Sequence, residues 1–423
     1  MKLHLKFLLC LILLIGCQKN KNYKLIEGGI PEKEGVSSER LERIDQYINK
    51  AIADTIIPGA VALVARNGKI IYHKAFGYEN TSEKIELNKN NIFRIASMSK
   101  AITSLAVMML WEEGKFSLDD PIEKFIPEFK NSKILDKFNS KDSTYTTINA
   151  KNKITIRHLL THTSGIGYGF IDSNPAIRAI HLKAGIIELY TTEEITIAEN
   201  IKRLAKLPLH FDPGTNYTYS EGLDVLGYFI EIQSGMSFRN FLQERIFKPL
   251  QMKDTYFYLP EEKSNRLVSV QTKEDGQWKD FSDSRFEVDY PIKGSKTFFS
   301  GGAGLSSTTE DYAKFLQMFL NKGKYGDKQL IGKKTCETIL SNQLSHLGEM
   351  ELSLAFGLLS EKEFYKGNGG SVGTFTWGGY WNTQYFADPK ENIIGIIYKQ
   401  TWNIGNDPTG SGFRRLVFQS IIE

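Results

Sequence analysis

The chain has 423 residues and 41% of them are hydrophobic, a content that excludes a disordered protein and allows one large core. Its 53 basic and 49 acidic residues leave a formal net charge of +4. The sequence has no basic stripe interleaved with aromatic residues, so we expect no nucleic-acid partner.

The N-terminus has the pattern of an export signal. A positively charged start precedes an apolar stretch at positions 7–15, which is too short to span a bilayer. The segment that ends at Cys17 resembles the lipobox of bacterial lipoproteins, in which the cysteine is lipidated after cleavage. We therefore predict a signal peptide at residues 1–17, a tether at 18–36, and an extracytoplasmic protein anchored to a bacterial membrane through Cys17. An ordinary secretory signal is the alternative.

Cysteine and histidine usage gives no sign of a disulfide or a metal centre. Cys336 is the one cysteine after the predicted leader, so we expect no intramolecular disulfide in the mature chain. His158 and His162 are four residues apart but have no third ligand nearby in the sequence, and we interpret both as structural. We expect neither a metal nor another cofactor.

The first part of the predicted domain alternates helix and strand patterns. Apolar residues recur at helical spacing over 38–54, and a buried strand is predicted over 59–66. Asn-Gly at 67–68 predicts a hairpin turn into a second strand over 69–78. A further helix is predicted to hold Ser97 in its first turn and to continue to Leu110.

The composition changes twice in the rest of the chain. Residues 131–153 are rich in Asn, Lys, Ser, Thr and Asp and predict an exposed loop. Helical patterns dominate 155–250, and strand patterns with glycines occupy 354–398 before a final helix. We predict an α/β (α+β) domain over 37–423, with one antiparallel sheet built from both chain ends and a mainly helical lobe at about 115–255. The cleft between the two is the expected place of a binding site.

Ser-Met-Ser-Lys at 97–100 is the first indication of chemistry. Residues three apart on a helix stand on one face, so the Ser97 hydroxyl and the Lys100 amine can share a proton. The helix dipole at the first turn favours an alkoxide on Ser97 and disfavours the ammonium form of Lys100. A serine nucleophile with a lysine base is one interpretation. A capping serine with an exposed lysine is the other, because chance alone produces this spacing in a chain of such length.

Two further segments accompany this motif in order. Tyr-Ser-Glu stands at 219–221 and Trp-Gly-Gly at 377–379. With positions 97–100 they resemble the Ser-x-x-Lys, Tyr-x-Asn and Lys-Thr-Gly motifs of the serine β-lactamase and penicillin-binding-protein superfamily, particularly class C β-lactamases and the related family VIII esterases. Residues 155–166 and 300–308 also resemble segments of this superfamily, so the resemblance covers about residues 38–420. The resemblance implies the β-lactamase/transpeptidase-like fold.

The resemblance also implies a role for each matching residue. Ser97 is the acylated nucleophile, Lys100 its proton partner and Tyr219 the general base. Tyr219 needs the Lys100 ammonium nearby, because an unperturbed phenol ionises near pH ~10. The backbone N–H groups of Ser97 and Tyr380 would form the oxyanion hole. Substrate-binding positions are implied for Glu221, Trp377, Gly378 and Gly379.

Two positions depart from the β-lactamase pattern. Glu221 stands where β-lactamases carry an Asn that holds the substrate's amide, and Trp377 replaces the Lys that attracts a penicillin carboxylate. The site thereby loses a cation and gains an anion, which disfavours anionic β-lactams and favours a neutral ester. We predict a serine hydrolase that cleaves a small-molecule ester or related acyl compound through an acyl-enzyme on Ser97.

Other functions of the same fold stay open. A β-lactamase, a D-amino-acid peptidase or a transacylase would use the same residues, since the fold and the motif fix the chemistry but not the acyl donor. A non-catalytic protein that binds β-lactams or peptidoglycan fragments is an alternative of another class. Tyr168 and its neighbours in 166–198 either line an acyl pocket or pack the helical lobe, and we favour packing.

A rival nucleophile stands at Ser371, because Gly-Gly-Ser-Val-Gly at 369–373 matches the nucleophile elbow of α/β-hydrolases. That fold needs a helix directly after the serine and a catalytic histidine later in the chain. The residues after Ser371 have a strand pattern, and the last histidine is His346. We therefore interpret Ser371 as a turn residue.

Overall fold

A computed structural model describes residues 24–282, 286–348, 351–367, 369–402, 405 and 407–423. The predicted signal peptide and Cys17 lie outside these residues. No helix in the described part of the chain is long and apolar enough to cross a membrane.

The strands of the described residues are β1 (Gly59–Arg66), β2 (Lys69–Asn80), β3 (Ile85–Glu86), β4 (Phe93–Arg94), β5 (Lys133–Asn139), β6 (Thr144–Asn149), β7 (Gln271–Glu274), β8 (Gln277–Asp280), β9 (Ser306–Ser307), β10 (Lys324–Tyr325), β11 (Lys328–Gln329), β12 (Gly357–Leu358), β13 (Phe375–Gly379), β14 (Thr383–Asp388), β15 (Ile393–Tyr398) and β16 (Thr401–Trp402). The α-helices are α1 (Ser38–Ala53), α2 (Ser99–Glu112), α3 (Ile156–Leu160), α4 (Pro175–Ala184), α5 (Ile197–Leu204), α6 (Gly222–Ser234), α7 (Phe238–Leu242), α8 (Lys248–Leu250), α9 (Tyr290–Lys293), α10 (Thr309–Leu320), α11 (Lys333–Leu340), α12 (Glu361–Tyr365) and α13 (Thr409–Gln419).

A seven-stranded sheet forms the centre of the fold and combines both ends of the chain. The strand order is β12-β13-β14-β15-β1-β2-β3, and neighbouring strands run antiparallel. The two central strands, β1 and β15, are buried at every position, which is why both are almost continuous apolar runs in the sequence. The predicted fold class and the predicted origin of the sheet are confirmed.

The sheet separates two hydrophobic cores. Alternate residues of β1 face opposite sides, so Leu63 belongs to the larger core and Val64 to the smaller one. Helices α1 and α13 pack together over the smaller core. Helices α2 and α10 lie in the larger core, which continues into the helical lobe formed by α3 to α8. The lobe and the sheet therefore share one core, and α2 stands between them.

Residues 131–153 form the β5-β6 hairpin, and the prediction of a loop was wrong. Their polar composition hid a strand pattern, since β6 is rich in β-branched residues that fit a pleated surface. The backbone of Leu209 ties the hairpin to the helical lobe. Its N–H donates to the Lys133 carbonyl at 2.7 Å, and its carbonyl accepts from the Leu135 N–H at 2.9 Å.

Part of the predicted tether also packs against the domain. The Ile26 N–H donates to the Gly68 carbonyl and the Ile70 N–H donates to the Ile26 carbonyl, at 2.9 and 2.8 Å. Val36 is completely buried in the smaller core. Residues 24–36 therefore extend the edge of the domain, and only 18–23 of the predicted tether lie outside the described residues.

Candidate active site

Ser97 lies in a single 3₁₀ turn, Ala96–Met98, that leads into α2. The sequence placed it in the first turn of the helix, and the structure places it just before. Two hydrogen bonds fix the turn from the side of the larger core: Ile95 N–H donates to the Leu305 carbonyl at 3.0 Å, and the Tyr312 hydroxyl donates to the Met98 carbonyl at 2.9 Å. The Ser97 side chain is half-buried, so it is held rigidly but stays accessible.

Lys100 is only 4% exposed, which excludes the interpretation as an exposed surface lysine. Its Nζ atom lies 3.3 Å from Ser97 Oγ, 2.8 Å from the Gly302 carbonyl oxygen and 3.4 Å from the Tyr168 hydroxyl. It is also 4.6 Å from the centre of the Tyr219 ring and 4.9 Å from that of Tyr168, within reach of a cation–π interaction. The amine is thus enclosed by the groups with which it can exchange or share a proton.

Two stacked tyrosines form the wall beside Lys100. The rings of Tyr168 and Tyr219 are 5.5 Å apart and nearly parallel. Tyr168 is completely buried, and burial, with the negative charge of Asp224 as the next cause, raises the pKa of its phenol well above the usual value. Tyr168 therefore stays protonated, whereas Tyr219 is partly exposed toward the cleft.

The sequence analysis favoured a packing role for Tyr168, and its complete burial in the larger core confirms that role. The sequence analysis missed that its hydroxyl also lies 3.4 Å from Lys100 Nζ. Tyr168 lies in the loop between α3 and α4, outside the segments that resemble the family. No spacing rule in the sequence relates positions 100 and 168. Only the fold brings them together.

His162 supports the loop that carries Tyr219. Its Nδ1 atom accepts the Ser220 N–H at 3.2 Å, and its ring lies 4.6 Å from that of Tyr219. Burial, together with the charge of Lys100, lowers the pKa of His162 well below its usual value, so the ring is neutral. His158 has a separate role, since its Nδ1 accepts the Thr155 N–H in the capping box of α3. Both histidines make the structural contacts that the sequence analysis predicted.

Strand β13, which carries Trp-Gly-Gly at 377–379, lies against the turn that holds Ser97. It packs on the Ala96–Met98 turn, and Gly379 makes this approach possible. A Cβ atom at this position would lie 2.3 Å from the Ile95 carbonyl oxygen. Tyr380, whose N–H is predicted to serve the oxyanion hole with that of Ser97, follows Gly379 directly. The ring of Trp377 lies 6.1 Å from that of Tyr219, so β13 borders the same cleft.

Aromatic side chains continue the cleft beyond Tyr380. The ring of Tyr380 lies 5.9 Å from that of Phe170 and 5.8 Å from that of Phe286. The two phenylalanines are 5.0 Å apart and line a cavity of about 240 Å³ with Ile186 and Glu188. This side of the cleft combines aromatic rings with the carboxyl groups of Glu188, Glu193 and Glu287.

Glu221 does not reach the cleft, contrary to the predicted contact with substrate. Its side chain is completely buried at the start of α6, and its Oε1 atom lies 3.4 Å from His181 Nδ1. Burial, with the charge of Glu188 as the next cause, raises the pKa of Glu221 well above its usual value. A carboxyl group that stays protonated adds no anion to the site, so the charge argument from the sequence rests on Trp377 alone.

Asp224, one turn further along α6, is a positioning residue that had no role in the sequence analysis. Its Oδ1 atom accepts the Ser300 hydroxyl at 2.6 Å and the Gly302 N–H at 3.2 Å. These bonds hold the loop whose Gly302 carbonyl faces Lys100. Ser300 and Gly302 belong to the stretch 300–308 that resembles the family, which is the signal that could have pointed to this contact.

Ser371 occupies a turn before β13, as predicted. Its N–H donates to Asp388 Oδ2 at 2.7 Å, and the strand begins at Phe375. The residues after it form no helix, so the elbow of an α/β-hydrolase is absent from this described segment.

The sequence over residues 44–417 matches the family described as Beta-lactamase. Esterase EstB of Burkholderia gladioli is 28% identical over 378 residues, which cover 85% of this chain and 90% of EstB. Lovastatin esterase of Penicillium rubens is 29% identical over 377 residues, which cover 84% and 91% of the two chains. Among solved structures, EstCE1, a hydrolase with promiscuous acyltransferase activity, has a TM-score of 0.76 at 22% identity, over 90% of this chain and 98% of its own. The matched range contains every residue of the site.

Proposed function

Because the chain belongs to the Beta-lactamase family, we propose that it is a serine hydrolase that cleaves a carboxylic ester through an acyl-enzyme on Ser97. One observation carries the proposal: the buried Lys100 Nζ atom lies 3.3 Å from Ser97 Oγ and 4.6 Å from the Tyr219 ring centre. A base held beside a hydroxyl is what activates a serine nucleophile. The names of EstB and lovastatin esterase support an ester as the substrate.

In the acylation step, Ser97 Oγ attacks the carbonyl carbon of the ester and its proton passes to the pair formed by Lys100 and Tyr219. The carbonyl oxygen becomes an oxyanion, which the N–H groups of Ser97 and Tyr380 would stabilise, each donor contributing about 3–4 kcal/mol. The intermediate collapses, the ester C–O bond breaks, and the leaving oxygen takes the proton from the pair as an alcohol. The acyl group remains on Ser97.

Deacylation runs through the same groups. Water attacks the acyl carbonyl and gives its proton to the pair of Lys100 and Tyr219, and Ser97 Oγ then leaves and recovers that proton. The product is a carboxylic acid. Tyr168, as a protonated phenol 3.4 Å from Lys100 Nζ, orients the amine throughout.

The lining of the cleft favours a neutral substrate. Trp377 stands where a β-lactamase carries a cationic lysine, and its ring lies near that of Tyr219. Tyr380 and Phe170 extend the aromatic surface toward the cavity of about 240 Å³. The aromatic rings stabilise an uncharged acyl chain by the burial of its surface, and the glutamates that line the cavity give no counter-charge to a β-lactam carboxylate.

We further propose that a lipid on Cys17 anchors the protein to an extracytoplasmic membrane face. The support is the sequence that ends at Cys17, which follows the order of a charged start, an apolar stretch and a small residue before cysteine. Expressed in a bacterium supplied with labelled palmitate, the protein should take up the label and Cys17→Ser should not. Equal labelling of the two would contradict the anchor.

The activity is tested with the soluble chain from Asn20 onward, which contains all the described elements. Turnover of p-nitrophenyl acetate, p-nitrophenyl butyrate and nitrocefin is measured beside Ser97→Ala and, as a matched control, Ser371→Ala. We expect ester turnover that falls by about 10³-fold or more in Ser97→Ala, persists in Ser371→Ala, and greatly exceeds nitrocefin cleavage. Full activity in Ser97→Ala would contradict the nucleophile, and dominant nitrocefin cleavage would favour a β-lactamase.

A further inference from the structure

A second cluster of side chains that could bind a metal ion lies in the helical lobe. His181 comes from α4, Glu188 from the segment after it, and Glu221 from the start of α6. One ligand atom of each residue lies within 4.8 Å of those of the other two. The closest measured pair is His181 Nδ1 and Glu221 Oε1, at 3.4 Å.

Two of these side chains are buried without hydrogen-bond partners. His181 is 1% exposed and Glu221 is completely buried, yet both imidazole nitrogens and both carboxyl oxygens of this pair are unpartnered. A buried polar group left in this state destabilises the fold unless a ligand satisfies it. The nearby Asp172 differs, because it accepts hydrogen bonds from the Tyr168 N–H and the His210 ring. Other buried polar atoms of the described residues, such as Asp224 Oδ2, also lack a partner, but here four such atoms belong to one adjacent pair of side chains.

We propose that His181, Glu188 and Glu221 bind a divalent transition-metal ion, with Zn²⁺ as the ion that fits best. Imidazole nitrogen and carboxylate oxygen are both ligands that Zn²⁺ accepts, whereas Ca²⁺ and Mg²⁺ prefer oxygen ligands alone. The Glu221 carboxyl group would release its proton to the solvent when the ion binds, and the two resulting carboxylates match the charge of the ion. This site is independent of the proposed ester hydrolysis, because no step of that reaction passes through it.

The distances suit this ion. With bond lengths of about 2.0–2.2 Å, neighbouring ligand atoms of a tetrahedral zinc site stand about 3.4 Å apart, which is the separation of His181 Nδ1 and Glu221 Oε1. The Glu188 ligand atom lies within 4.8 Å of the other two and must move closer by up to about 1.4 Å to reach this spacing. Glu188 has the freedom to do so, since it is only partly buried.

Glu188 also connects the cluster to the surface. It lines the cavity of about 240 Å³ together with Glu193 and Glu287, and acidic side chains at the mouth of a cavity attract cations. Its Oε2 atom accepts the Phe170 N–H at 2.7 Å, a bond that orients the carboxylate as outer hydrogen bonds do in metal sites. The ion thus has a route to the cluster.

A bound ion would join three segments of the helical lobe close to Tyr168 and Tyr219. Glu221 stands two positions after Tyr219 in the chain, and its N–H donates to the Gly167 carbonyl, beside Tyr168. The metal would therefore stabilise the loops that hold both tyrosines. We expect it to raise the melting temperature of the protein as a ligand specific to the folded state.

The test measures metal binding directly on the purified protein after treatment with EDTA. Equilibrium dialysis against ZnCl₂, followed by elemental analysis, should give one zinc per chain, with no comparable binding of Ca²⁺. Co²⁺ should bind at the same site and show the absorption of a tetrahedral complex. Zinc should raise the melting temperature. Absence of zinc binding at micromolar concentration would overturn the proposal.

Variants identify the site. Glu188→Gln keeps the shape of the side chain but removes a charged ligand, and it should weaken zinc binding by at least about tenfold. Glu193→Gln is the matched control, because Glu193 lines the same cavity but is exposed, and it should bind zinc as the wild type does. His181→Gln is a second test if Glu188→Gln fails to fold. Zinc affinity unchanged in both ligand variants would place the ion elsewhere and overturn the proposal.

Discussion

Gly379 gives the sharpest test of how the fold builds the site. In Gly379→Ala the new Cβ atom would lie 2.3 Å from the Ile95 carbonyl oxygen and 2.3 Å from Thr383 Oγ1. An ordinary contact between carbon and oxygen is about 3.3–3.6 Å. The Thr383 hydroxyl can rotate away, but the Ile95 carbonyl belongs to the backbone that leads to Ser97. Strand β13 and the nucleophile turn must therefore separate by about 1 Å.

This displacement should lower turnover strongly while the protein stays folded. Misplacement of reacting groups by about 1 Å costs on the order of 10²-fold in rate, whereas an overpacked methyl group costs about 1–3 kcal/mol of unfolding free energy. The assay compares kcat for p-nitrophenyl butyrate and the urea midpoint of Gly379→Ala with those of the wild type. We expect a loss of about 100-fold in kcat with the protein still folded.

Gly378→Ala is the matched comparison on the same strand. A Cβ atom at this position would approach the Thr383 carbonyl oxygen to 3.2 Å and Gln384 Cγ to 3.6 Å, so a shift of a few tenths of an ångström is enough. Its loss of kcat should be about tenfold smaller than that of Gly379→Ala. Equal losses in the two variants would refute the argument that the contact of Gly379 with Ile95 sets the position of β13.

Three further changes test the site and the core. Lys100→Met should lower turnover by about 10³-fold or more. The melting temperature should stay the same or rise, because an apolar side chain replaces a buried amine. Retained activity would exclude Lys100 as the proton partner of Ser97. Tyr168→Phe removes the hydroxyl 3.4 Å from Lys100 Nζ and should lower kcat by about tenfold without unfolding, whereas unchanged kcat would show that Tyr168 acts by packing alone. Asp407→Asn leaves the buried Lys399 without its partner at 2.7 Å and should cost about 3–5 kcal/mol in urea unfolding; a cost below about 1 kcal/mol would show that the pair is solvated.

The pair of Lys399 and Asp407 also predicts a dependence of stability on pH. Burial raises the pKa of Asp407, but the Lys399 ammonium outweighs this effect and holds the pKa below its usual value. A carboxyl group with a lowered pKa in the folded state stabilises the fold above its unfolded value of about 3.9 and loses that contribution as the pH falls further. Urea midpoints from neutral pH to below pH ~4 should decline more steeply in the wild type than in Asp407→Asn.

The sequence was sufficient wherever a local pattern decided the structure. The apolar run of β1 predicted a buried strand, and the Asn67-Gly68 dipeptide predicted the hairpin between β1 and β2. The motif containing Ser97 and Lys100 predicted two side chains on one face, and their atoms lie 3.3 Å apart. In these cases short-range spacing carries the information.

The sequence failed where the tertiary environment decides. Glu221 was expected to face the substrate because of its place in a motif, but the packing of α4 buries it beside His181. Tyr168 meets Lys100 only through the fold. The β5-β6 hairpin is tied to the lobe by the backbone of Leu209, which composition does not reveal. The proposed zinc ligands at positions 181, 188 and 221 do not follow the spacing of a metal-binding motif, so the sequence alone could not reveal them.

The central claim is that Ser97 carries the acyl group during turnover. The direct measurement is mass spectrometry of the enzyme, quenched in acid while it hydrolyses p-nitrophenyl butyrate and then digested with a protease. We predict a butyryl group on the peptide that contains Ser97, and none on the same peptide of Ser97→Ala. A butyryl group on Ser371 or another residue, or turnover in Ser97→Ala at the wild-type rate, would contradict it.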